Sequence, residues 1–141
     1  MSIRVLLTDD HEVVRAGYAR LLESAPDIDV IADASSGEEA CSEYFNRQPD
    51  VLVMDLTMPG IGGLEASRRI LARDPKARIL VFSVHENETM LERALNVGIK
   101  GYISKRSASQ VMIQAVRQVA AGDRYIGQEM MFHLVDRRTS R

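Results

Sequence analysis

The sequence predicts an α/β fold in which a five-stranded parallel sheet is doubly wound, with helices on both faces. Two observations carry that expectation. Short apolar runs alternate with stretches of helical period through most of the 141 residues. The runs are also continuously apolar, as in VLVM (51–54) and ILVF (79–82), the pattern of strands covered on both faces. The length suits one domain.

Each element follows from a local signal. IRVLLT (Ile3 to Thr8) reads as the first strand, and HEVVRAGYARLLES after it as a helix with Val14, Gly17, Tyr18 and Leu21 on one face. IDVIADA (Ile28 to Ala34) is the second strand. Ser36 opens the next helix, with Glu39 placed to complete a capping box. Pro49 and Asp50 punctuate before the third strand, Val51 to Met54. A helix around Leu64 to Ala72 ends near Asp74-Pro75. Arg78 to Val84 form the fourth strand. Asn87 caps a helix reaching about Val97, where Gly98 stops it. Gly101 to Ser104 are a short fifth strand, and Ser107 with Gln110 form a second capping box for a helix to about Ala121.

The repeating pattern closes there, which sets a domain at residues 1–121 and a tail at 122–141. The tail turns at Gly122-Asp123 and carries a short amphipathic helix around Gln128 to Val135, with Met130, Met131, Leu134 and Val135 in one stripe. Two readings stay open: the stripe packs on the domain or a neighbouring chain, or the tail is a linker towards a further domain.

Composition narrows the function. The chain is 45% apolar and 27% charged with a formal net charge of -2, so no global basic field points to nucleic acid. The basic finish DRRTSR is too short to bind DNA alone. A single cysteine, Cys41, excludes an internal disulfide and reads as a structural thiol. No apolar run is long enough to span a bilayer. The start MSIRVLL lacks a signal-peptide layout, so the cytoplasm is the expected compartment.

The chemistry lies at the strand ends. In doubly wound sheets, sites form beyond the carboxyl ends of the strands, at the point where strand order reverses. Asp9 and Asp10 follow the first strand as Asp55 follows the third. Neighbouring strand ends would bring three carboxylates into one crevice, where they repel and burial raises their pKa values. A hard divalent cation resolves the conflict; Mg²⁺ takes a few carboxylates plus water and carbonyl oxygens, and the Thr57 backbone carbonyl can serve as a neutral ligand. For Asp10 alone, helix capping accounts for the residue as well as a metal role does. Ser83 near the end of strand four and Lys105 after strand five add a hydroxyl and an ammonium. Alone, Lys105 reads as a solvated loop residue and Ser83 as a satisfied strand-end hydroxyl; together, facing an acid-bound metal, they suit a phosphoryl group.

TDDHEVVR, VLVMDLTMPGIGGLEASRRI, VFSVHE and GYISK resemble the motifs of the response-regulator receiver domain, with its flavodoxin-like, CheY-like (βα)5 fold and strand order 2-1-3-4-5. The likeness covers Ile3 to about Ala121. DDHEVVRAG, GIGGLEA and GYISK further resemble the NarL/FixJ subfamily, and within it the GacA/UvrY-type global regulators. The resemblance implies that Asp55 is the phospho-acceptor for a sensor histidine kinase and that Asp9, Asp10, Asp55 and the Thr57 carbonyl organise Mg²⁺, the first acid often through water. It implies that Lys105 and Ser83 contact the phosphoryl group and that Tyr102 changes rotamer as part of the switch. A homodimer on activation is implied, with DNA engaged only through a C-terminal helix-turn-helix domain that this chain lacks. It also implies a signalling switch rather than an enzyme, although such a switch promotes its own phosphorylation and dephosphorylation.

Pro59 forces a turn beside the acceptor, and Gly60, Gly62 and Gly63 permit backbone shapes barred to other residues. Arg106 stands where many receivers carry proline, and the switch hydroxyl is Ser83 rather than threonine. His11 and His85 read as exposed, and His133 has no evident partner. Three rival classes stand beside the receiver reading. A haloacid-dehalogenase-type hydrolase needs a second acid where Thr57 stands. A pseudo-receiver would bind partners without taking phosphate, and DNA binding by this chain itself is opposed by its charge.

Overall fold

The structure, a computed structural model, describes the backbone of residues 2–139 and the side chains through Leu134. Strands and helices alternate: β1 (Ile3–Thr8), α1 (Glu12–Glu23), β2 (Ile28–Ala34), α2 (Gly37–Arg47), β3 (Val51–Asp55), α3 (Gly62–Arg73), β4 (Ile79–Ser83), α4 (Glu88–Val97), β5 (Gly101–Ser104), α5 (Ala108–Ala120), β6 (Tyr125–Ile126) and α6 (Gln128–Thr139). All strand pairs are parallel, in the order β2-β1-β3-β4-β5-β6. The expected five strands and their order are present, and the two-residue β6 extends the sheet beyond β5.

The period-2 geometry of the strands divides their side chains between two cores. Leu6, Leu52, Met54, Ile79, Val81 and Tyr102 pack beneath α2, α3, α4 and α6. Val5, Leu7, Val53, Leu80, Phe82 and Ile103 pack beneath α1 and α5. Every residue of β3, β4 and β5 is buried, which is why VLVM and ILVF carry no polar alternation. Each fully buried large side chain contributes roughly 1.5–3 kcal/mol, so these strands form a rigid base for whatever projects from their ends.

Local details depart from the sequence reading. β3 runs one residue further, making Asp55 its last residue. β4 stops at Ser83, and Val84 is 65% exposed. Ser36 accepts the Glu39 N–H at 3.1 Å, but the Glu39 carboxylate returns to the N–H of Ser35 rather than Ser36. Ser107 does not cap α5 with its hydroxyl. The Gln110 N–H goes to the Ser107 carbonyl at 3.0 Å. The Ser107 hydroxyl is the main reason that the Glu129 carboxyl of α6 titrates below its usual range. Asn87 accepts from the Met90 N–H at 2.9 Å, and Gly98 ends α4 with a φ of 109°. On α1, Val14, Gly17, Tyr18 and Leu21 share a face and line a surface groove with Ser109; Tyr18 and Leu21 also pack against the core, Tyr18 edge-on to Phe82 with ring centroids 5.3 Å apart. Leu22 is the helix's fully buried residue.

The methionine stripe of the tail splits. Met130 is fully buried in the core that contains Tyr102, and Leu134 packs against that core, whereas Met131 is 47% exposed. Residues 130 and 134 are one helical turn apart and face the sheet, and 131 is rotated away. The side chain of residue 135 lies outside the described residues. Met130→Ala is expected to cost about 2–3 kcal/mol in urea unfolding. A neutral result would show that α6 contributes nothing to the packed unit.

Candidate functional site

The site forms where β1, β3, β4 and β5 end together. β1 has β2 on one side and β3 on the other, so the strand order reverses there and opens a crevice at the carboxyl ends. Thr8 pairs in register with Met54, Asp55 with Phe82 and Ser83 with Ser104. Residues at or just past these positions therefore emerge on one rim: Asp9, Asp55, Ser83 and Lys105.

Asp9 and Asp55 are both buried, at 0% and 1% exposure. Lys105 joins them. Its Nζ donates to Asp9 Oδ2 at 3.2 Å and to Asp55 Oδ2 at 3.0 Å. The second oxygen of each acid also has a backbone donor. The His11 N–H reaches Asp9 Oδ1 at 2.8 Å, and the Thr57 N–H reaches Asp55 Oδ1 at 3.1 Å. The Asp55 N–H donates to Thr8 Oγ1 at 3.1 Å, and that hydroxyl donates to the Val53 carbonyl. Arg15 holds the Asp9 carbonyl at 2.7 Å and pairs with Asp33 at 3.0 Å. Thr8 and Arg15 begin and end the TDDHEVVR motif, but sequence reading assigned neither a role, since their partners lie on other elements.

Asp10 lies at the mouth, with its side chain 31% exposed. His11, expected to face solvent, keeps a 69% exposed side chain but sets Nδ1 3.3 Å from Asp9 and 3.1 Å from Asp10. Asp9, Asp10 and His11 offer ligand atoms within 4.8 Å of one another. Asp55 is drawn in through Lys105 rather than through that cluster. The Thr57 main chain is held beside Asp55 by the N–H bond noted above.

Burial is the largest influence on Asp55 and raises its pKa; Lys105 and the Thr57 N–H oppose it without cancelling it. Burial alone would lower the Lys105 pKa, but Asp55 and Asp9 together raise it, so the ammonium stays charged. An acid whose folded pKa lies above its unfolded value stabilises the fold most below the unfolded value. That contribution is lost as pH rises through the folded value. Asp55→Asn should therefore raise the melting temperature of the metal-free protein by a few degrees at pH 7 and by less towards pH 4. An equal or lower melting temperature at pH 7 would contradict the assignment of burial as the dominant influence.

Ser83 and Tyr102 form a second group beside the first. Ser83 is buried and its hydroxyl accepts the His85 N–H at 3.0 Å. Tyr102 is fully buried, and its hydroxyl donates to the His85 carbonyl at 2.7 Å. Burial, the largest influence, raises the Tyr102 pKa. His85 itself is exposed, as expected. His133, for which the sequence offered no partner, places Nε2 2.8 Å from the Glu86 carbonyl.

A tight turn delivers Asp55 to this rim. Gly60 and Gly62 have φ values of 76° and 78°, a region open to glycine at little cost. Gly63 lies so close to the Asp55 carbonyl oxygen that a Cβ there would overlap it.

Comparison with known proteins agrees with this architecture. Residues 5–117 match the family model for the response regulator receiver domain. The chain is 42% identical over 128 residues to the response regulator UvrY of Escherichia coli (strain K12), covering 91% of this chain and 59% of that protein. It is 41% identical over 128 residues to the response regulator GacA of Pseudomonas viridiflava, covering 91% of this chain and 60% of the relative. The chain thus spans about three fifths of the length of these curated relatives. Among solved structures, a LuxR-family two-component response regulator from Aurantimonas sp. SI85-9A1 superposes with a TM-score of 0.94 at 38% identity, covering 99% of each chain. Acids placed at the ends of β1 and β3, a lysine after β5, and matches of this extent lead to one conclusion: the chain belongs to the response regulator receiver family.

Proposed function

We propose that the chain is a phosphorylation-dependent receiver in which Asp55 takes a phosphoryl group from a phosphohistidine on a sensor histidine kinase. The observation that carries this reading is the pair of buried carboxylates, Asp9 and Asp55, arriving from separate strands onto one ammonium, that of Lys105. A structural ion pair needs one buried acid for one lysine. A second buried acid, with Asp10 and His11 at the mouth, leaves surplus negative charge that favours a cation.

The donor set suits Mg²⁺, because it is made of hard carboxylate oxygens. Asp9, Asp10, Asp55 and the Thr57 carbonyl are the groups that would hold it, and when bound it neutralises charge on the incoming phosphoryl oxygens. In the transfer, an Asp55 carboxylate oxygen forms a bond to phosphorus as the bond from phosphorus to the histidine nitrogen breaks, and the imidazole leaves with the electron pair. Thr8 and Thr57 orient the Asp55 backbone and carboxylate. Lys105 remains as the cation nearest the developing charge.

Ser83 then exchanges the His85 N–H for a phosphoryl oxygen, and Tyr102 loses its present acceptor as the loop moves. A near-complete switch needs roughly 5.5 kcal/mol of preference between states. One hydroxyl bond supplies about 0.5–1.5 kcal/mol, so charge-assisted contacts and dimerisation provide the remainder. A C-terminal DNA-binding output domain beyond residues 122–141, homodimerisation on activation and transcription control complete the proposal. They are supported by the curated relatives being longer response regulators.

Incubation with the phosphorylated kinase domain or a small phosphodonor, with Mg²⁺, should add one phosphoryl mass to wild type and none to Asp55→Asn. No increment on wild type would favour a pseudo-receiver that binds partners without modification.

A further inference from the structure

The loop between β4 and α4 is held from four directions at two consecutive residues. The His85 N–H donates to Ser83 and the His85 carbonyl accepts from Tyr102. The Glu86 carboxylate accepts from the Ser104 hydroxyl and from both ends of the Arg106 guanidinium, at 3.1 and 2.8 Å. The Glu86 carbonyl meets His133 Nε2 of α6 at 2.8 Å. A carbonyl only accepts, so Nε2 carries the proton in this pairing.

α6 is fixed at two further points. Met130 is buried in the core that includes Tyr102, and Leu134 packs against that core; Glu129, in its first turn, has its carboxyl held below the usual range chiefly by the Ser107 hydroxyl at the start of α5. The helix therefore contacts both parts expected to shift: the loop after Ser83 and the turn after Lys105.

We propose that α6 is docked on the resting arrangement of the β4–α4 loop, with Glu86 as the positioning residue that joins loop, β5–α5 turn and α6. Occupation of Asp55 and release of α6 are thereby coupled. The inference rests on the receiver reading given above. When the Ser83 hydroxyl turns towards a group on Asp55, the His85 N–H loses its acceptor. Glu86 follows directly in the chain, so its carbonyl moves with the loop and the His133 bond is lost. The Arg106 fork ties the same displacement to the turn that carries Lys105. Coupling of this kind is reciprocal: an α6 that dissociates on occupation must, while docked, weaken occupation by the same factor. Residues beyond α6 would thus receive a signal from Asp55 through the chain itself.

The test uses the full 141-residue chain, with beryllofluoride and Mg²⁺ as the probe and hydrogen exchange followed peptide by peptide. Beryllofluoride should change exchange in the β4–α4 loop and accelerate it in α6 by about tenfold. His133→Ala should accelerate α6 exchange without the probe and tighten beryllofluoride binding about five- to tenfold. His133→Gln, which keeps a donor for the Glu86 carbonyl, should restore part of both values. Arg106→Ala should act in the same direction as His133→Ala. A loop response with unchanged α6 exchange, or unchanged affinity in His133→Ala, overturns the coupling alone. No response to saturating beryllofluoride anywhere overturns the receiver reading and this inference with it.

Discussion

Replacing Lys105 with methionine should destabilise the metal-free protein by about 3 kcal/mol at pH 7. The side chain is 19% exposed and holds two carboxylates that are almost wholly buried. Methionine preserves much of the volume, so the loss is chiefly of charge. Breaking a buried pair from one side leaves an uncompensated ion, which costs more than the intact pair contributed. The deficit should narrow on acidification, because the raised pKa of Asp55 allows that carboxyl to take up a proton. It should narrow also when Mg²⁺ is added, since the cation replaces the missing positive charge. Urea titrations at pH 7 and pH 5, with and without Mg²⁺, measure all three effects. A stability equal to wild type, or a deficit insensitive to both pH and Mg²⁺, would mean that Lys105 does not balance the two acids.

The second large effect is expected at Gly63. An added methyl would overlap the Asp55 carbonyl oxygen and lie 2.8 Å from Leu56 Cα and 2.9 Å from the Asp55 carbonyl carbon. These are backbone atoms, so no side chain can rotate away. The strand end must move, at a cost of about 3 kcal/mol, and Asp55 moves with it. Gly63→Ala should therefore lower stability and slow modification of Asp55 together. Gly17 provides the control: nothing lies within 4 Å of its added Cβ and it sits inside α1. Gly17→Ala should be neutral or stabilising by about 0.5–1 kcal/mol. Equal behaviour of the two variants in chemical denaturation would remove the steric argument for the glycine cluster.

These two positions also show what the sequence could and could not convey. Gly63 stood out only as a member of GIGG, and its close approach to Asp55 is a tertiary fact. The acids were legible because a continuous apolar run ending on aspartate conflicts with burial, and that conflict pointed to a strand tip. Lys105 was legible only by its place directly after β5. Thr8, by contrast, supports Asp55 through hydrogen bonds across 47 residues of sequence, and no local pattern announces them. The capping-box expectation failed at Ser107 because the Gln110 N–H is taken by the Ser107 carbonyl rather than by its hydroxyl. β6 was missed because two residues, Tyr125 and Ile126, are too few to show a period. The tail stripe was read with the right amphipathic sense, but sequence spacing alone could not choose between Met130 and Met131 as the core residue. No sequence signal paired Glu86 with Arg106, and only the meeting of the β4–α4 and β5–α5 turns gives them a common role.

The central claim is that acids from separate strand ends share a cation and deliver one oxygen of Asp55 to phosphorus. It is tested most directly by treating the chain with a small phosphodonor across a Mg²⁺ titration and mapping the modified residue by peptide mass spectrometry. A single modified site at Asp55, formed at a rate that rises with Mg²⁺ and collapses on chelation, is the predicted result. Modification at another residue, or labelling of Asp55 at a rate indifferent to Mg²⁺, would contradict it.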